Sequence, residues 1–203
     1  MKSMWNNFWK TKKIIYIPIS IFKNLYFTKI KASYVKKFVS DSSVLEIGCG
    51  DGKLLSLLPK NADITGLDIS PFALKKSKKN LASRNVSLTL GDAFNLKFNN
   101  NTFDLVLSDG LIEHYTYKIK ELIKEMYRVT KKGGNLIIIL TNNDLVRNLL
   151  FKYIYKWDKK KVKNTKEYKN IFNDFLNKIS KKYKIETIPK SFGILMAVVV
   201  KKC

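Results

Sequence analysis

Residues 46–52 read Glu-Ile-Gly-Cys-Gly-Asp-Gly and connect an apolar run at 44–47 to a leucine-rich run at 54–58. The first run predicts a short strand, and the second predicts the start of a helix that ends at Pro59. Glycines at a strand-to-helix turn let the chain turn sharply and let a ligand lie directly against the backbone. Residues 46–52 therefore predict a ligand-binding loop.

The spacing of these glycines narrows the kind of ligand. The loop has the pattern G-x-G-x-G, whereas the dinucleotide-binding fingerprint requires G-x-G-x-x-G. The carboxylates of Glu46 and Asp51 lie beside the glycines, where they would repel a pyrophosphate but suit a ligand with ammonium and sulfonium groups. The pattern therefore disfavours NAD.

Three further acidic residues lie at the ends of predicted strands. They are Asp68, Asp92 and Asp109, which close or follow the strands predicted at 64–68, 86–90 and 103–107. Ligands of open parallel sheets bind at the carboxyl ends of the strands, so the loop and these acids converge on one crevice. Asp68 has the position from which a carboxylate accepts hydrogen bonds from ribose hydroxyls. Its alternative role is to cap the helix predicted to begin at Pro71.

The order of the predicted elements indicates the fold class. Helices are predicted at 71–83, 116–130, 144–157 and 165–182, with the run Lys131 to Gly134 as a C-cap, and further strands at 136–140, 183–188 and 194–200. Alternating strands and helices predict an α/β fold with a Rossmann-like, doubly wound sheet and helices on both faces. We expect a mostly parallel seven-stranded sheet with an antiparallel last strand.

The loop and the strand-end acids together resemble the class I S-adenosylmethionine-dependent methyltransferases. The resemblance covers roughly residues 33–141, and the strands predicted over 183–200 follow in the family's order. It implies S-adenosylmethionine as the cofactor and methyl transfer as the activity. The small-molecule and quinone-type methyltransferases are the most similar subgroup, because they often carry a Glu-His pair after the fourth strand and a Gly-Gly pair before the fifth. Here these pairs are Glu113-His114 and Gly133-Gly134.

The resemblance implies which residues bind the methionine end of the cofactor. Glu46, Gly48 and Gly50 would shape that pocket, with Cys49 as a small residue of the same loop. Ser108 would line the region of the methionine and the methyl group.

The resemblance also implies which residues bind the adenosine end. Asp68 would bind the ribose diol, and Ile69 would pack on the adenine. Asp92 would hydrogen-bond the adenine amino group, with the backbone of Ala93 beside it.

The candidate catalytic residues are Asp109, Glu113 and His114. Methyl transfer from a sulfonium is a direct displacement, so alignment supplies most of the acceleration. A general base is needed only if the acceptor carries a proton at the moment of attack. Of these three side chains, His114 is the one most readily neutral near pH 7, which suits a general base. The alternative is a structural role, in which His114 packs against the following helix or caps it.

Composition places the chain among single-domain proteins and excludes disorder. The 203 residues are 45% hydrophobic and 27% charged. Cys49 and Cys203 are the only cysteines and His114 is the only histidine, so the sequence offers no metal site or disulfide framework. The apolar run 14–19 contains Pro18, lacks a following cleavage site and is too short to span a bilayer, so we expect a cytoplasmic protein.

The net charge of +23 is concentrated in two flanking segments. Residues 1–40 hold nine lysines and no acidic residue, and residues 151–190 hold thirteen lysines and four acidic residues. Residues 41–150 are close to balanced, with fifteen basic and twelve acidic residues. We expect residues 1–40 to form an N-terminal helical lid and residues 41–203 the cofactor-binding domain, with 142–182 as a helical insert on the acceptor side.

Both flanking segments are also rich in aromatic residues. Their composition helps to indicate the chemical class of the methyl acceptor. Lysines beside aromatic rings suit a small, amphiphilic or lipid-like acceptor, or contact with an acidic membrane surface. They also suit RNA, although the motifs that accompany nucleobase methylation are absent after the fourth strand. A plain lysine-rich lid, a cofactor-binding protein without catalysis, and any oligomeric state stay open at this point.

Overall fold

The computed structural model describes residues 2–11, 18–115, 117–141, 165–180, 182–191 and 193–203. The helices are α1 (Lys2–Thr11), α2 (Pro18–Val35), α3 (Pro71–Asn80), α4 (Ile119–Val129) and α5 (Thr165–Ile179). The strands are β1 (Ser43–Ile47), β2 (Asp63–Asp68), β3 (Val86–Leu90), β4 (Phe103–Asp109), β5 (Thr130–Thr141), β6 (Tyr183–Thr187) and β7 (Leu195–Lys201). Short 3-10 turns cover Lys36–Phe38, Leu55–Leu57 and Ile112–His114.

The seven strands form one sheet in the order β3-β2-β1-β4-β5-β7-β6. Strands β1 to β5 pair in parallel, and β7 is antiparallel to both of its neighbours, β5 and β6. This confirms the predicted mostly parallel sheet with an antiparallel last strand. The order reverses between β1 and β4, and in such sheets the ligand crevice lies at that switch point, outside the carboxyl ends of the strands.

Helices cover both faces of the sheet, as predicted. Alternate residues of a strand point to opposite faces, so Leu45 and Val44 of β1 join different hydrophobic clusters. One cluster packs the sheet against α4 and α5, and the other packs it against α2 and the segment around α3. Because both faces are covered, the central strands are almost continuously apolar.

The predicted C-cap at Lys131 to Gly134 is wrong. Helix α4 ends at Val129, and β5 begins at the next residue. The ammonium of Lys202 donates to the carbonyls of Tyr127 at 2.7 Å and Arg128 at 3.2 Å, and the backbone amides of Asn101 and Thr102 donate to the carbonyls of Arg128 and Val129. The helix therefore needs no glycine to end it.

The glycine pair instead lies within β5. Gly133 has a φ of +73°, and the pairing register between β4 and β5 shifts in this region. A β-carbon on Gly134 would lie 2.7 Å from the carbonyl oxygen of Asp104, so the neighbouring strand leaves no room for a side chain. The pair thus permits an irregularity of the sheet.

Two other predicted helices differ from expectation or fall outside the described residues. The helix expected before Pro59 is a single 3-10 turn, Leu55–Leu57. The helix expected over 144–157 lies outside the described residues. In the part of the chain that is described, no helix combines the length and apolar character needed to cross a bilayer.

Candidate functional site

The glycine loop folds back over the end of β2. The backbone amides of Gly48 and Cys49 both donate to the carbonyl oxygen of Leu67, at 2.7 and 3.0 Å. Gly48, Gly50 and Gly52 have φ values of +74°, +55° and +73°, in the left-handed region that favours glycine. The alternating glycines therefore create a tight loop at the carboxyl ends of β1 and β2.

Asp68 joins this loop to the end of β2. The residue is 7% exposed, and its carboxylate accepts hydrogen bonds from the backbone amides of Gly50 at 2.9 Å and Ser70 at 2.8 Å. Burial raises the pKa of Asp68, and these backbone amides oppose that rise. The N-cap of α3 is the hydroxyl of Ser70, which accepts from Ala73, so Asp68 does not serve as that cap. Its oxygens retain lone pairs for a ligand hydroxyl.

Two buried polar side chains beside the loop have oxygens without a hydrogen-bond partner. Glu46 is 3% exposed and its Oε2 is unpartnered, and the hydroxyl of the fully buried Ser108 is unpartnered as well. A buried polar group left unsatisfied costs about 1–3 kcal/mol, so these oxygens are available to hydrogen-bond a ligand or a water molecule. The unpartnered carboxylate oxygen suits the ammonium of an amino acid, as the methionine end of the expected cofactor requires.

The surroundings of Glu46 penalise its ionised form. Burial raises the pKa of Glu46 well above its usual value, and the charge of Asp109 adds to the rise while that of Lys31 opposes it. The folded protein thus disfavours the ionised form of Glu46 when no cationic ligand is bound.

We expect Glu46→Gln to make the folded protein more stable at alkaline pH. The gain should grow as pH rises, because ionising this buried carboxyl costs free energy and the amide of the variant does not ionise. A carboxyl whose pKa is raised by folding contributes its full stabilisation below its unfolded pKa, near 4.5 here, and this contribution is lost as pH rises through the folded pKa. The difference between variant and wild type should therefore vanish below that pH. Urea denaturation across pH 4–8 measures the free energy of unfolding of variant and wild type. Glu121→Gln, on the exposed side of α4, is the control. An equal change in the free energy of unfolding in both variants would refute the explanation by burial of Glu46.

Asp109, at the end of β4, has a partner that sequence patterns did not indicate. The ammonium of Lys31, on α2, lies 2.8 and 2.9 Å from the two carboxylate oxygens of Asp109. The side chains are 19% and 20% exposed, so the pair is largely shielded from water. Glu113 is buried nearby, and a β-carbon at Gly110 would lie 3.6 Å from its carboxylate. The candidate catalytic carboxylates thus lie at one edge of the crevice.

His114 lies in the 3-10 turn after β4 and contacts α1. Its ring meets that of Trp5 edge to face, with the ring centroids 4.7 Å apart. Burial lowers the pKa of His114 to about 4, so the imidazole is neutral at pH 7. Trp5 also donates from Nε1 to the hydroxyl of Tyr115 at 3.0 Å. The aromatic residues of α1 therefore close one side of the crevice.

The segment expected to bind adenine follows β3. Asp92 is exposed, and its Oδ1 accepts from the amide of Phe94 at 2.9 Å. The ring of Phe94 packs against Tyr115 with centroids 5.0 Å apart, and Ala93 is partly buried beside it. Ile69 is also partly exposed, next to Asp68. Tyr115 thus links the Asp92 segment to the turn that holds His114.

Helix α1 lies across the glycine loop. Trp9 is buried, and a β-carbon at Gly50 would lie 2.9 Å from its ring. Asn6 accepts a hydrogen bond from the Ser70 hydroxyl at 2.9 Å, and the ammonium of Lys76 on α3 donates to the Trp9 carbonyl at 2.9 Å. The sequence led us to expect a lid in this segment, but its spacing could not indicate which residues would contact the loop.

Cys49 is buried inside the loop and faces the sheet. A β-carbon at Gly66 of β2 would lie 3.0 Å from its sulfur. Burial raises the pKa of the Cys49 thiol, with the charges of Glu46 and Asp68 acting in the same direction. The thiol is therefore unreactive, in keeping with its interpretation as a small loop residue.

Comparison with known protein families and sequences gives consistent matches. A family model described as a methyltransferase domain matches residues 38–190. An uncharacterised protein of Methanocaldococcus jannaschii is 36% identical over 120 residues, which are 58% of this chain and 50% of that protein. A demethylmenaquinone methyltransferase of Staphylococcus epidermidis is 36% identical over 120 residues, covering 56% of this chain and 48% of the enzyme. The chain thus spans about half the length of these curated relatives.

Solved structures share the fold over most of the chain. A Methanococcus maripaludis protein assigned to the S-adenosyl-L-methionine-dependent methyltransferases superposes with a TM-score of 0.68 at 22% identity, covering 99% of this chain and 91% of that protein. A methyltransferase of the same cofactor class from Methanosarcina mazei gives a TM-score of 0.62 at 21% identity, covering 83% of this chain and 96% of its own. At these identities the likeness concerns the fold alone.

Proposed function

Because the chain belongs to the methyltransferase-domain family, we propose that it is an S-adenosylmethionine-dependent methyltransferase acting on a small, amphiphilic or lipid-like acceptor. The observation that carries the proposal is the acidic crevice at the switch point of the sheet. There the glycine loop, the buried Asp68 and the unpartnered oxygen of Glu46 lie together. These groups suit a ligand with ribose hydroxyls and a cationic amino-acid end.

S-adenosylmethionine is the cofactor that the family and the fold imply, and the residues of the crevice fit it. Asp68 would hold the ribose and Glu46 the ammonium, while Ile69, Asp92 and Ala93 would surround the adenine. When bound, the cofactor supplies an electrophilic methyl group. The protein's own contribution is to hold the acceptor in line and to exclude water.

We propose His114 as the general base for a methyl acceptor that must lose a proton during the reaction. Its imidazole is neutral at pH 7 because burial lowers its pKa to about 4, a shift that also makes it a weaker base than an exposed histidine. Asp109 is bound to Lys31 instead, so its carboxylate is occupied by an ion pair. Glu113 is buried in the same turn and remains the second candidate.

The N-terminal and inserted segments are proposed to meet the acceptor. The contacts of Trp5 and Trp9 support the assignment of residues 1–40 as a lid over residues 41–203. Much of the proposed acceptor-side insert, 142–182, lies outside the described residues. Relatives are named for demethylmenaquinone and for phthiotriol dimycocerosates, which favours an acceptor of lipid-like chemistry. We also propose that the protein is cytoplasmic and that its lysine-rich flanks contact an anionic membrane surface.

Incubation with methyl-labelled S-adenosylmethionine and an extract of the source organism tests the proposed activity. The reaction products are separated into lipid, small-molecule and RNA fractions. We expect label in the lipid or small-molecule fraction, above that of heat-denatured protein. Label in RNA alone would instead support RNA methylation. If the protein binds S-adenosylhomocysteine but transfers no label to any fraction, the alternative of a non-catalytic cofactor-binding protein is favoured.

A further inference from the structure

The helices on the two faces of the sheet differ in charge. Helices α2 and α3 lie on one face and α1 packs against α3, and together these three helices contain nine lysines and no acidic residue. Helices α4 and α5, on the opposite face, contain six basic and four acidic residues. The helical layer on one face therefore carries unbalanced positive charge, whereas the other layer carries mixed charge.

The lysines of α3 contribute much of this charge at the surface. Lys75, Lys78 and Lys79 are exposed, while Ala73 and Ser77 on the other side of the helix are buried. Residues 69–91, which include α3 and β3, contain no acidic residue. This stretch belongs to the part of the chain in which charges are nearly balanced, so composition did not reveal the positive surface.

Exposed aliphatic side chains border the same surface. Met4 of α1 is 42% exposed, and Leu90, the last residue of β3, is 51% exposed. Leu90 follows Val86 and Leu88 at alternating positions, so it lies on the face of the sheet that carries α3. Exposed lysines combined with exposed aliphatic side chains suit the interface of an anionic membrane.

The use of arginine in the described residues favours lipid over RNA as the partner. A guanidinium suits phosphate and base recognition better than an ammonium does. The guanidinium of Arg84 donates instead to three backbone carbonyls between residues 56 and 59, and that of Arg128 binds Glu125 and the backbone of residues 96–98. The surface therefore presents lysines, and its exposed apolar side chains are aliphatic, which suit acyl chains better than the stacking of bases.

This surface borders the crevice. Leu90 pairs in register with Asp68 at the carboxyl end of β2. Asn6 of α1 accepts a hydrogen bond from the Ser70 hydroxyl at 2.9 Å, and α3 begins at the next residue, Pro71. A membrane against this surface would therefore lie beside the crevice.

We propose that α1, the exposed side of α3 and the end of β3 form a docking surface for an anionic lipid bilayer. Lys75, Lys78 and Lys79 contact the headgroups, and Met4 and Leu90 enter the boundary between headgroups and acyl chains. Docking places the crevice next to the bilayer, so that a lipid-like acceptor reaches it without crossing water. That last step rests on the proposed function, whereas the docking itself does not.

Sedimentation of the full chain with lipid vesicles tests the docking surface. The vesicles contain phosphatidylcholine alone, or phosphatidylcholine together with anionic phosphatidylglycerol. We expect wild-type protein to bind the anionic vesicles about tenfold or more tighter, with an affinity that falls as salt is raised. The triple variant Lys75→Gln, Lys78→Gln, Lys79→Gln should lose most of this preference, because it lacks the charges of α3 that face the headgroups.

The matched control removes three exposed lysines from the opposite face of the sheet: Lys124→Gln, Lys166→Gln and Lys169→Gln. This control has the same net charge as the α3 variant and should bind anionic vesicles within about twofold of wild type. Arginine at the three positions of α3 keeps the charge and should retain binding. Circular dichroism checks that each variant is folded, and alanine at the same positions replaces a glutamine variant that does not fold.

A fluorescent label measures whether the end of β3 meets the bilayer. An environment-sensitive fluorophore is attached to Leu90→Cys in a Cys203→Ser background, since Cys203 is exposed whereas Cys49 is buried. We expect its emission to shift to the blue on anionic vesicles. The same label on Asp63→Cys, at the opposite end of β2, should show no shift.

Equal loss of vesicle binding in the α3 variant and its control would mean that net charge alone drives binding, and would overturn the docking surface. An unshifted label on Leu90→Cys would overturn it as well, as would retention of RNA at low salt without binding to anionic vesicles. If the protein binds vesicles as expected but transfers no methyl group, the docking surface is supported and the proposed function fails.

Discussion

We expect Asp68→Ala to raise the dissociation constant for S-adenosylhomocysteine at least tenfold, equivalent to about 1.4 kcal/mol. The substitution acts twice on the crevice. It removes the carboxylate proposed to bind the ribose, and it takes the acceptor from the backbone amides of Gly50 and Ser70. The glycine loop then loses its hydrogen bond to the end of β2 and becomes less ordered. The ligand therefore binds to a less ordered site that also offers one fewer hydrogen-bond acceptor.

Calorimetry of the purified variant measures this effect. Asp63→Ala is the matched control, because Asp63 is exposed at the opposite end of the same strand. Circular dichroism establishes that both variants are folded before titration. Unchanged affinity in a folded Asp68→Ala protein would contradict the assignment of this carboxylate to the ligand site.

We expect Gly52→Ala to lower the free energy of unfolding by about 2–5 kcal/mol. Two costs add at this position. Gly52 has a φ of +73°, where an alanine is strained by about 1–2 kcal/mol. Its β-carbon would also overlap the hydroxyl of Ser77 and lie 2.9 Å from Leu81 Cδ1, and such overpacking costs about 1–3 kcal/mol.

Gly133→Ala separates the two costs, because Gly133 has the same φ of +73° but no atom within 4 Å of its β-carbon position. This control should lose only the backbone contribution, about 1–2 kcal/mol. Urea denaturation of both variants gives the difference. Equal destabilisation would mean that the neighbours of Gly52 relax without cost, and that the tight packing of the loop against α3 is unimportant.

The loop and Asp68 were predictable because their signals are local. Glycine spacing sets the turn, and a strand-end carboxylate needs only the parallel sheet to bring it to the crevice. The contribution of Lys31 was not predictable, since nothing in the sequence distinguishes it from the other eight lysines of residues 1–40. Only the packing of α2 over the sheet brings it to Asp109.

The error at Lys131 to Gly134 has the same physical origin. A Gly-Gly pair after a helix normally indicates a C-cap. Here Lys202, which follows β7, satisfies the end of α4 through tertiary structure. Contacts from residues distant in sequence thus end the helix. Gly133 and Gly134 lie instead at the irregularity of β5 beside Asp104.

The position of β7 between β5 and β6 has a consequence for synthesis on the ribosome. Although β7 is the last strand in sequence, it separates two strands that precede it. Until residues 195–201 have emerged, β5 has an uncovered apolar edge and β6 has no partner in the sheet. The nascent chain therefore exposes a surface prone to association until residues 195–201 have emerged. Closure of this side of the sheet has to wait for β7, which follows both of its partners in sequence.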